Sequence, residues 1–418
     1  MIINDAQTRR LTLMWWTLAA HVLLIIFGYW IPPADGICGL LSRLLIVAET
    51  GLLLSAINLL RPRSAVGWVM SLVLVAVILF MFLSMGTDIV KKDLYLDSYS
   101  ILPYSYCVLL FLPVIPLLRS FVQVNYTLNV IGCIIALVPI TLYTDTGIIQ
   151  FIFETCILGA GFIFLSGKYH ARRHFLWATA ALFVGLLAAT ATGRRNLMLT
   201  IAIYLLIGGV QFVFGRQIKS SANRLLLLIS LAALVFVGIF FYLVNSHGLF
   251  SLITTRATEN TREYVFLSFG LDMLDAKSLL IGRGMNGTYI CPGVAGGDGD
   301  ENRNIIENGY MMLLLKGGAL YLVCYLSIII YAIVKGFKAR NQLLHACAWL
   351  LTVQLIDMLP FGLHAFNVKT FMLWMSVALC LDRSLWAKGD DEIQDLLTEP
   401  SLRLPPWDRS RTAEAPVR

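Results

Sequence analysis

Charge is scarce in this chain. Asp, Glu, Lys and Arg make up 14% of its 418 residues and apolar types 58%, whereas soluble domains are about one quarter charged. That balance implies a polytopic membrane protein of all-α class, with no separate soluble domain of consequence. Paired cysteines are also missing. Of the eight cysteines, Cys107, Cys133, Cys156, Cys324, Cys347 and Cys380 fall in apolar runs, Cys38 lies near the end of one, and Cys291 stands alone. No CxxC or similar spacing occurs, so neither a disulfide framework nor a thiolate metal site is indicated. The first apolar run, after Arg9-Arg10 and containing Trp15-Trp16, lacks a small-x-small cleavage site. It is expected to remain as an uncleaved span. No internal repeat is visible; inverted repeats with broken helices would have indicated a secondary transporter.

What is present is a succession of apolar runs. Twelve have about the 17–25 residues that a bilayer requires. They cover residues 11–30, 38–60, 65–86, 101–118, 121–142, 147–167, 175–193, 196–214, 224–244, 309–334, 343–362 and 365–382. Each is expected to be a helix, because backbone exposed to lipid must satisfy its own hydrogen bonds. Residues 1–383 thus form one transmembrane domain. Residues 384–418, charged and broken by Pro400, Pro405, Pro406 and Pro416, are expected as a mobile cytoplasmic tail.

The basic residues orient the chain. With the N-terminus inside, twenty of the 32 Lys and Arg fall on the cytoplasmic side, as the positive-inside bias requires. Both termini are then cytoplasmic and residues 245–308 form one large external loop, periplasmic in a bacterial inner membrane. The net charge of +7 follows largely from this topology and does not indicate nucleic-acid binding.

That loop is the one long polar excursion, and loops of this length are uncommon unless functional or disordered. Its apolar interior argues against disorder. It carries Arg256, Arg262, Arg283 and Arg303, whose planar forks of donors match phosphate oxygens bidentately. Arg256 and Arg262 precede an amphipathic helix. Its apolar positions, Phe266, Phe269, Gly270 and Met273 with Leu267, Leu271 and Leu274, make a wide face suited to the membrane surface or to the bundle. Asp272, Asp275 and Lys277 are expected on its solvated side. Gly282-Arg283-Gly284 reads as a turn whose amides and guanidinium approach a phosphate together. Residues 293–300, GVAGGDGD, read as a flexible connector or lid. Asp298, Asp300 and Glu301 do not have EF-hand spacing, and no metal or cofactor is expected.

A second anion site is indicated at AATATGRRNLML, where one run ends at Gly193 and the next starts at Asn196. Arg194 and Arg195 stand on the side that the bias disfavours, beside a helix N-terminus that adds its own positive end. Snorkelling side chains are the plain alternative. Glu307-Asn308 opens the tenth run, and a partly desolvated carboxylate there can serve as general base for a sugar hydroxyl. A carboxylate that merely favours the helix dipole is the structural alternative, and His247 and His364 are competing bases. Glu49, Glu154 and Asp357 lie within apolar runs and should face the bundle interior, lining a polar cavity or pairing.

GRRN in a tight external turn, a large loop with spaced arginines and a Gly-Arg-Gly step, and the ENGYMMLLLKGG re-entry together resemble the O-antigen ligase and Wzy-type O-antigen polymerase superfamily. The likeness covers the span plan of the chain, with motifs at about residues 192–196 and 256–318. It implies a GT-C-like, inverting, metal-independent glycosyltransferase acting on undecaprenyl-diphosphate-linked oligosaccharide at the periplasmic face. A chain-length regulator and a flippase are then natural partners. By the same resemblance, Arg195 with Arg194 and a loop arginine, Arg256, Arg262 or Arg283, would hold the lipid diphosphate. Arg303 lies close to Glu307. Ligases of the family carry a His near the re-entry; Glu307 stands there instead, which favours a polymerase. A ligase with a lipid A core or protein acceptor, and a lipid-linked glycan flippase or transporter, remain as alternatives.

Overall fold

The computed structural model describes residues 5–30, 35–55, 64–86, 102–112, 114–137, 152–191, 195–214, 261–292, 301–360 and 367–398. They are mostly helical. Helices α1 (Asp5–Trp30), α2 (Asp35–Ser55) and α3 (Ala65–Leu83) coincide with the first three apolar runs. Helix α4 (Leu102–Ser105) tightens into a 3₁₀ turn, Tyr106–Phe111, and stops at Leu112. Helix α5 then runs unbroken over Val114–Leu137. The expected boundary between residues 118 and 121 is therefore corrected to Pro113. Proline has no amide hydrogen and its ring forces the preceding residue out of the helical region; Leu112 is accordingly extended, with ψ 157°. Arg119, which marked the expected boundary, lies inside α5 and donates to the Leu396 carbonyl.

The next apolar run opens with a π-helical turn, Phe153–Ile157, and continues as α6 (Gly159–Leu165). Helices α7 (Arg172–Ala191) and α8 (Arg195–Phe214) follow. The expected span at 224–244 lies outside the described residues. The polar excursion supplies α9 (Thr261–Asp272), α10 (Ala276–Ile281) and a two-stranded antiparallel pair, β1 (Tyr289–Ile290) with β2 (Asn302–Arg303). Helices α11 (Gly309–Lys338), α12 (Gln342–Asp357) and α13 (Val368–Leu381) close the bundle. Helix α11 breaks at Gly318, where φ is 63° and ψ −168°. Unbroken, its 30 residues would make a rod of about 45 Å; the break leaves residues 319–338, about 30 Å long, as the straight section.

The core forms around α13. Every residue from Val368 to Leu381 is buried, because α13 packs against α4 and its 3₁₀ turn, α5, α6, α11 and α12. Aromatic rings meet on it from several helices. Trp15 lies 3.9 Å from Phe371 between ring centroids, Tyr106 5.4 Å from Phe371, and Tyr325 5.6 Å from Trp374. Outer helices bury one face only. On α3 the buried side holds Gly67, Ser71, Leu74, Ile78 and Met81, yet the opposite side exposes Val69, Leu72, Val73, Phe80 and Leu83. A helix apolar all round is not a water-facing helix. Among the described residues, α3 and α11 are long and apolar enough to cross a membrane.

The bundle has two distinct ends. At one, α8 begins at Arg195 and α12 finishes at Asp357. At the other lie Lys168, Arg172 and the Lys335 and Lys338 turn of α11. Here the chain after α13 forms α14 (Arg383–Trp386) and α15 (Asp390–Thr398). These residues, expected as the start of a mobile tail, are instead docked. Asp390 pairs with Lys168 at 2.8 Å, accepts from the Tyr169 hydroxyl and caps α12 through the Gln342 amide at 2.8 Å. Asn341 donates to the Leu385 carbonyl at 2.8 Å. Residues 399–418 lie outside the described residues.

A candidate substrate site at the Arg195 end of the bundle

The polar excursion is a folded unit with its own small core. Phe269 of α9 and Met273 just after it pack with Tyr289, Cys291 and Ile306 onto Met312 and Leu315 in the first part of α11. Asp275 caps α10, its side chain accepting from the Ser278 amide at 2.8 Å. The hydrogen bonds from Ser278 hold the Asp275 carboxyl below its usual range. The wide apolar face expected on α9 is split, with Phe269 and Met273 buried but Leu267, Leu271 and Leu274 exposed.

Arg283 anchors this unit. Its guanidinium pairs with the Asp272 carboxylate, donates to the carbonyls of Thr288 at 2.8 Å and Asp272 at 2.6 Å, and reaches the Ser278 hydroxyl at 3.3 Å. Asp275 stands 4.0 Å away. Every guanidinium nitrogen has a protein partner, so the role expected for Arg283 at a diphosphate or a reacting centre is replaced by a structural one. Asp272, expected on a solvated side, is its main partner. The backbone of the same turn meets α11, where the Arg283 amide donates to the Leu315 carbonyl at 2.8 Å. The buried Lys316 ammonium donates back to the Gly287 carbonyl at 2.9 Å. The Gly-Arg-Gly step and the LLLKGG re-entry, far apart in sequence, are thus two sides of one contact.

Arg303 and Glu307, the other two described charges expected at the site, both bear on Tyr289. Tyr289 is fully buried beside Phe269, with ring centroids 5.5 Å apart. Burial raises its hydroxyl above the usual range, Arg303 opposes that rise, and Cys291 and Glu307 add to it. Arg303, opposite Tyr289 in the β pair, and Glu307 thus bear on the same hydroxyl with opposite sign. Glu307 directly precedes Asn308, which caps α11 by accepting from the Tyr310 and Met311 amides at 3.0 and 3.1 Å. The Asn308 amide donates to Leu359, the Gly309 amide to Met358 and the Tyr310 hydroxyl to Leu355. These bonds fix the Glu307 end of α11 on the C-terminal turn of α12.

Directly below that turn is a buried charged group. Lys369, in the first turn of α13, pairs with Asp357 and lies 3.8 Å from Glu154. Thr200 donates to Asp357 at 2.7 Å and Asn367 to Glu154 at 2.8 Å. All five are almost completely buried. Glu154 and Asp357 do face the interior, and of the two outcomes left open they take pairing. The π turn matters here, because one extra residue in a helical turn re-aims the side chains around it. Lys369 was not singled out in the sequence, although a lysine in an apolar run is itself a signal of a buried partner. Thr200 lies about 8 Å along α8 from its start at Arg195, so Arg195, Asp357 and the Glu307 end of α11 belong to one end of the bundle.

Arg195 and Arg262 are placed as helix residues, at the first and second positions of α8 and α9 respectively; their side chains are outside the described residues. Arg194, Arg256, His247, His364, Asp298 and Asp300 lie outside them entirely. Glu49 is not part of this site: it is buried and accepts from Tyr106 at 3.3 Å. Among the described residues no group of three His, Cys, Asp or Glu side chains is placed to hold a metal ion. Comparison of the chain with protein-family models, curated proteins and solved structures gives no match.

Proposed function

We propose that this chain is a polytopic glycosyltransferase of a bacterial inner membrane that polymerises surface-polysaccharide repeat units, taking undecaprenyl-diphosphate-linked oligosaccharide as donor. The observation that carries the reading is that Glu307 stands just before α11, four residues after Arg303 of β2, at the end of the bundle where α8 starts with Arg195. The exposed apolar sides of α3 and α11 support the membrane setting. The resemblance of the GRRN and ENGYMMLLLKGG stretches supports the substrate class.

The division of labour is as follows. An acceptor hydroxyl attacks the anomeric carbon and the lipid diphosphate leaves as an anion that needs no proton. Arg303, with Arg195 and Arg194 and with Arg256 and Arg262 of the excursion, stabilises the departing charge; in a poorly hydrated site such donors contribute several kcal/mol. Glu307 takes the hydroxyl proton, with inversion at carbon. Arg283 holds the platform. The test is a proteoliposome assay with lipid-linked repeat units. Glu307→Gln should bind donor normally and lose a factor of about 10²–10⁴ in transfer. A full polymer ladder from this variant removes Glu307 as base. A ligase shares this site and is recognised by transfer to an added lipid A core.

A lipid-linked glycan transporter is the second reading, favoured by the Lys369–Asp357–Glu154 group inside the bundle. Intramembrane charges mark translocation paths as well as structural pairs. A transporter would move donor across the proteoliposome membrane without lengthening it.

A further inference from the structure

Helix α9 has two apolar sides, and the small core of the excursion uses only one. Phe269 and Met273 are buried, while Tyr264, Leu267, Leu271 and Leu274 are 48–74% exposed. Tyr264, Leu267 and Leu271, spaced three and four residues apart, share one stripe of α9, and Leu274 follows two residues past its end. Leu279 and Leu280 of α10 are exposed as well, at 48% and 61%. Among the described side chains of α9, Glu263 is the exposed charge. Three large apolar side chains on one exposed stripe, with Leu274 just beyond it, need an occupant.

Its position says which. Gly284, just after α10, lies against the end of α3, where a Cβ would be 3.1 Å from the Ser84 hydroxyl and 3.6 Å from the Met81 carbonyl. The Leu280 carbonyl meets α11 at Gly318. Beside these two contacts Leu83 of α3 and Leu320 of α11 are themselves exposed. They end the open apolar sides of the two helices long enough to cross a membrane. Exposed apolar side chains thus stand on the neighbouring ends of α3 and α11 and again on α10 and α9. Asp275 and Lys277, both exposed, lie among them, the pattern of a helix lying in an interface with charges at its border.

We propose that this stripe is a membrane seat: α9 and α10 rest in the headgroup layer, their leucines inserted about 5–10 Å, and hold the excursion down against the bilayer. Among the described residues no cluster of basic side chains lies beside the stripe, so attachment is by apolar insertion and does not need anionic lipid. The proposal rests on the reading that the bundle crosses a membrane.

The experiment separates the two. Single cysteines at Leu271, Leu267, Leu72 on the open side of α3 and the exposed Asn304 are made in the full chain with Cys324→Ala, since the other cysteines are buried. Each is labelled with an environment-sensitive fluorophore in neutral phosphatidylcholine vesicles that carry nitroxide either near the headgroup or deep in the acyl chain. Labels at Leu271 and Leu267 should be quenched more by the shallow nitroxide, the Leu72 label more by the deep one, and the Asn304 label by neither. Quenching at Leu72 without quenching at Leu271 and Leu267 overturns the seat and leaves the membrane reading intact. No quenching at Leu72 overturns that reading as well. Blue-shifted emission at Leu271 without lipid quenching means a protein, such as a second copy of the chain, covers the stripe, and also overturns the proposal.

Discussion

Gly282 and Gly318 meet backbone to backbone: a Cβ on either would lie 2.5 Å from the amide nitrogen of the other. Both hold positive φ, 70° and 63°, with extended ψ, a region open essentially to glycine alone. Alanine at either position meets strain of about 1–3 kcal/mol and a backbone clash that no rotamer change relieves. Gly282→Ala and Gly318→Ala should each lower the melting temperature in detergent and open residues 276–292 to protease. A melting temperature equal to that of the parent would show that the contact does not matter.

Arg283 should behave as a structural residue. Arg283→Ala leaves the half-buried Asp272 carboxylate without its cation, though still accepting from the Ile290 amide at 3.1 Å, at a cost of about 2–4 kcal/mol after allowance for partial exposure. Arg283→Lys should recover little, because an ammonium cannot serve two carbonyls and a carboxylate in one plane. The discriminating measurement is thermal stability beside transfer activity. Full stability with lost transfer in Arg283→Ala would return the residue to the reacting centre.

The Lys369 group should show strong coupling. Lys369→Met alone leaves two buried carboxylates facing each other, and such breaks cost about 3–5 kcal/mol. Asp357→Leu alone removes the nearer carboxylate and leaves Lys369 with Glu154. The double variant, with Glu154 still held by Asn367, should be more stable than the sum of the singles allows. Additive losses in a double-mutant cycle would contradict the pairing.

Docking of α15 should depend on acid. Burial alone would raise the Asp390 carboxyl, but the hydrogen bonds from Lys168, Tyr169 and the Gln342 amide outweigh it and leave it below the usual range. A carboxyl depressed in the folded state contributes stability above its unfolded pKa, about 4, and that stability is lost as pH falls through the lower folded value. Hydrogen exchange of residues 390–398 should therefore be slow at neutral pH and faster below about pH 4. Asp390→Asn should be fast at both. Protection independent of pH in the parent would rule this out.

Helix existence was legible because apolar length is a local property, and α1, α2, α3, α7, α8, α12 and α13 stand close to where the runs are. What length cannot show is a short-range backbone event inside a run. Pro113 was visible, but the charge at Arg119 drew the expected boundary, and nothing in FETCI announces a π turn. In the site, Arg303 and Glu307 both bear on Tyr289 because β2 and the start of α11 are neighbours in sequence. Arg283 was misread for the opposite reason: its partner Asp272 sits across α10, and a carboxylate on the open side of a helix looks the same whether or not a turn later brings an arginine back to it. Lys369 gives up its meaning only when α12, α13 and the π turn are brought together.

The complete enclosure of α13 also constrains when the molecule can be finished. Trp15, in the first helix described, packs its ring on Phe371, in the last long helix described. Until α13 arrives, α5, α6, α11 and α12 surround a slot with nothing in it, and Glu154 waits for Asn367 as Asp357 waits for Lys369. Contacts so distant along the chain form slowly because the closure entropy must be met before they repay it. Helices formed one after another can therefore lie side by side, but they lock together only once α13 joins them.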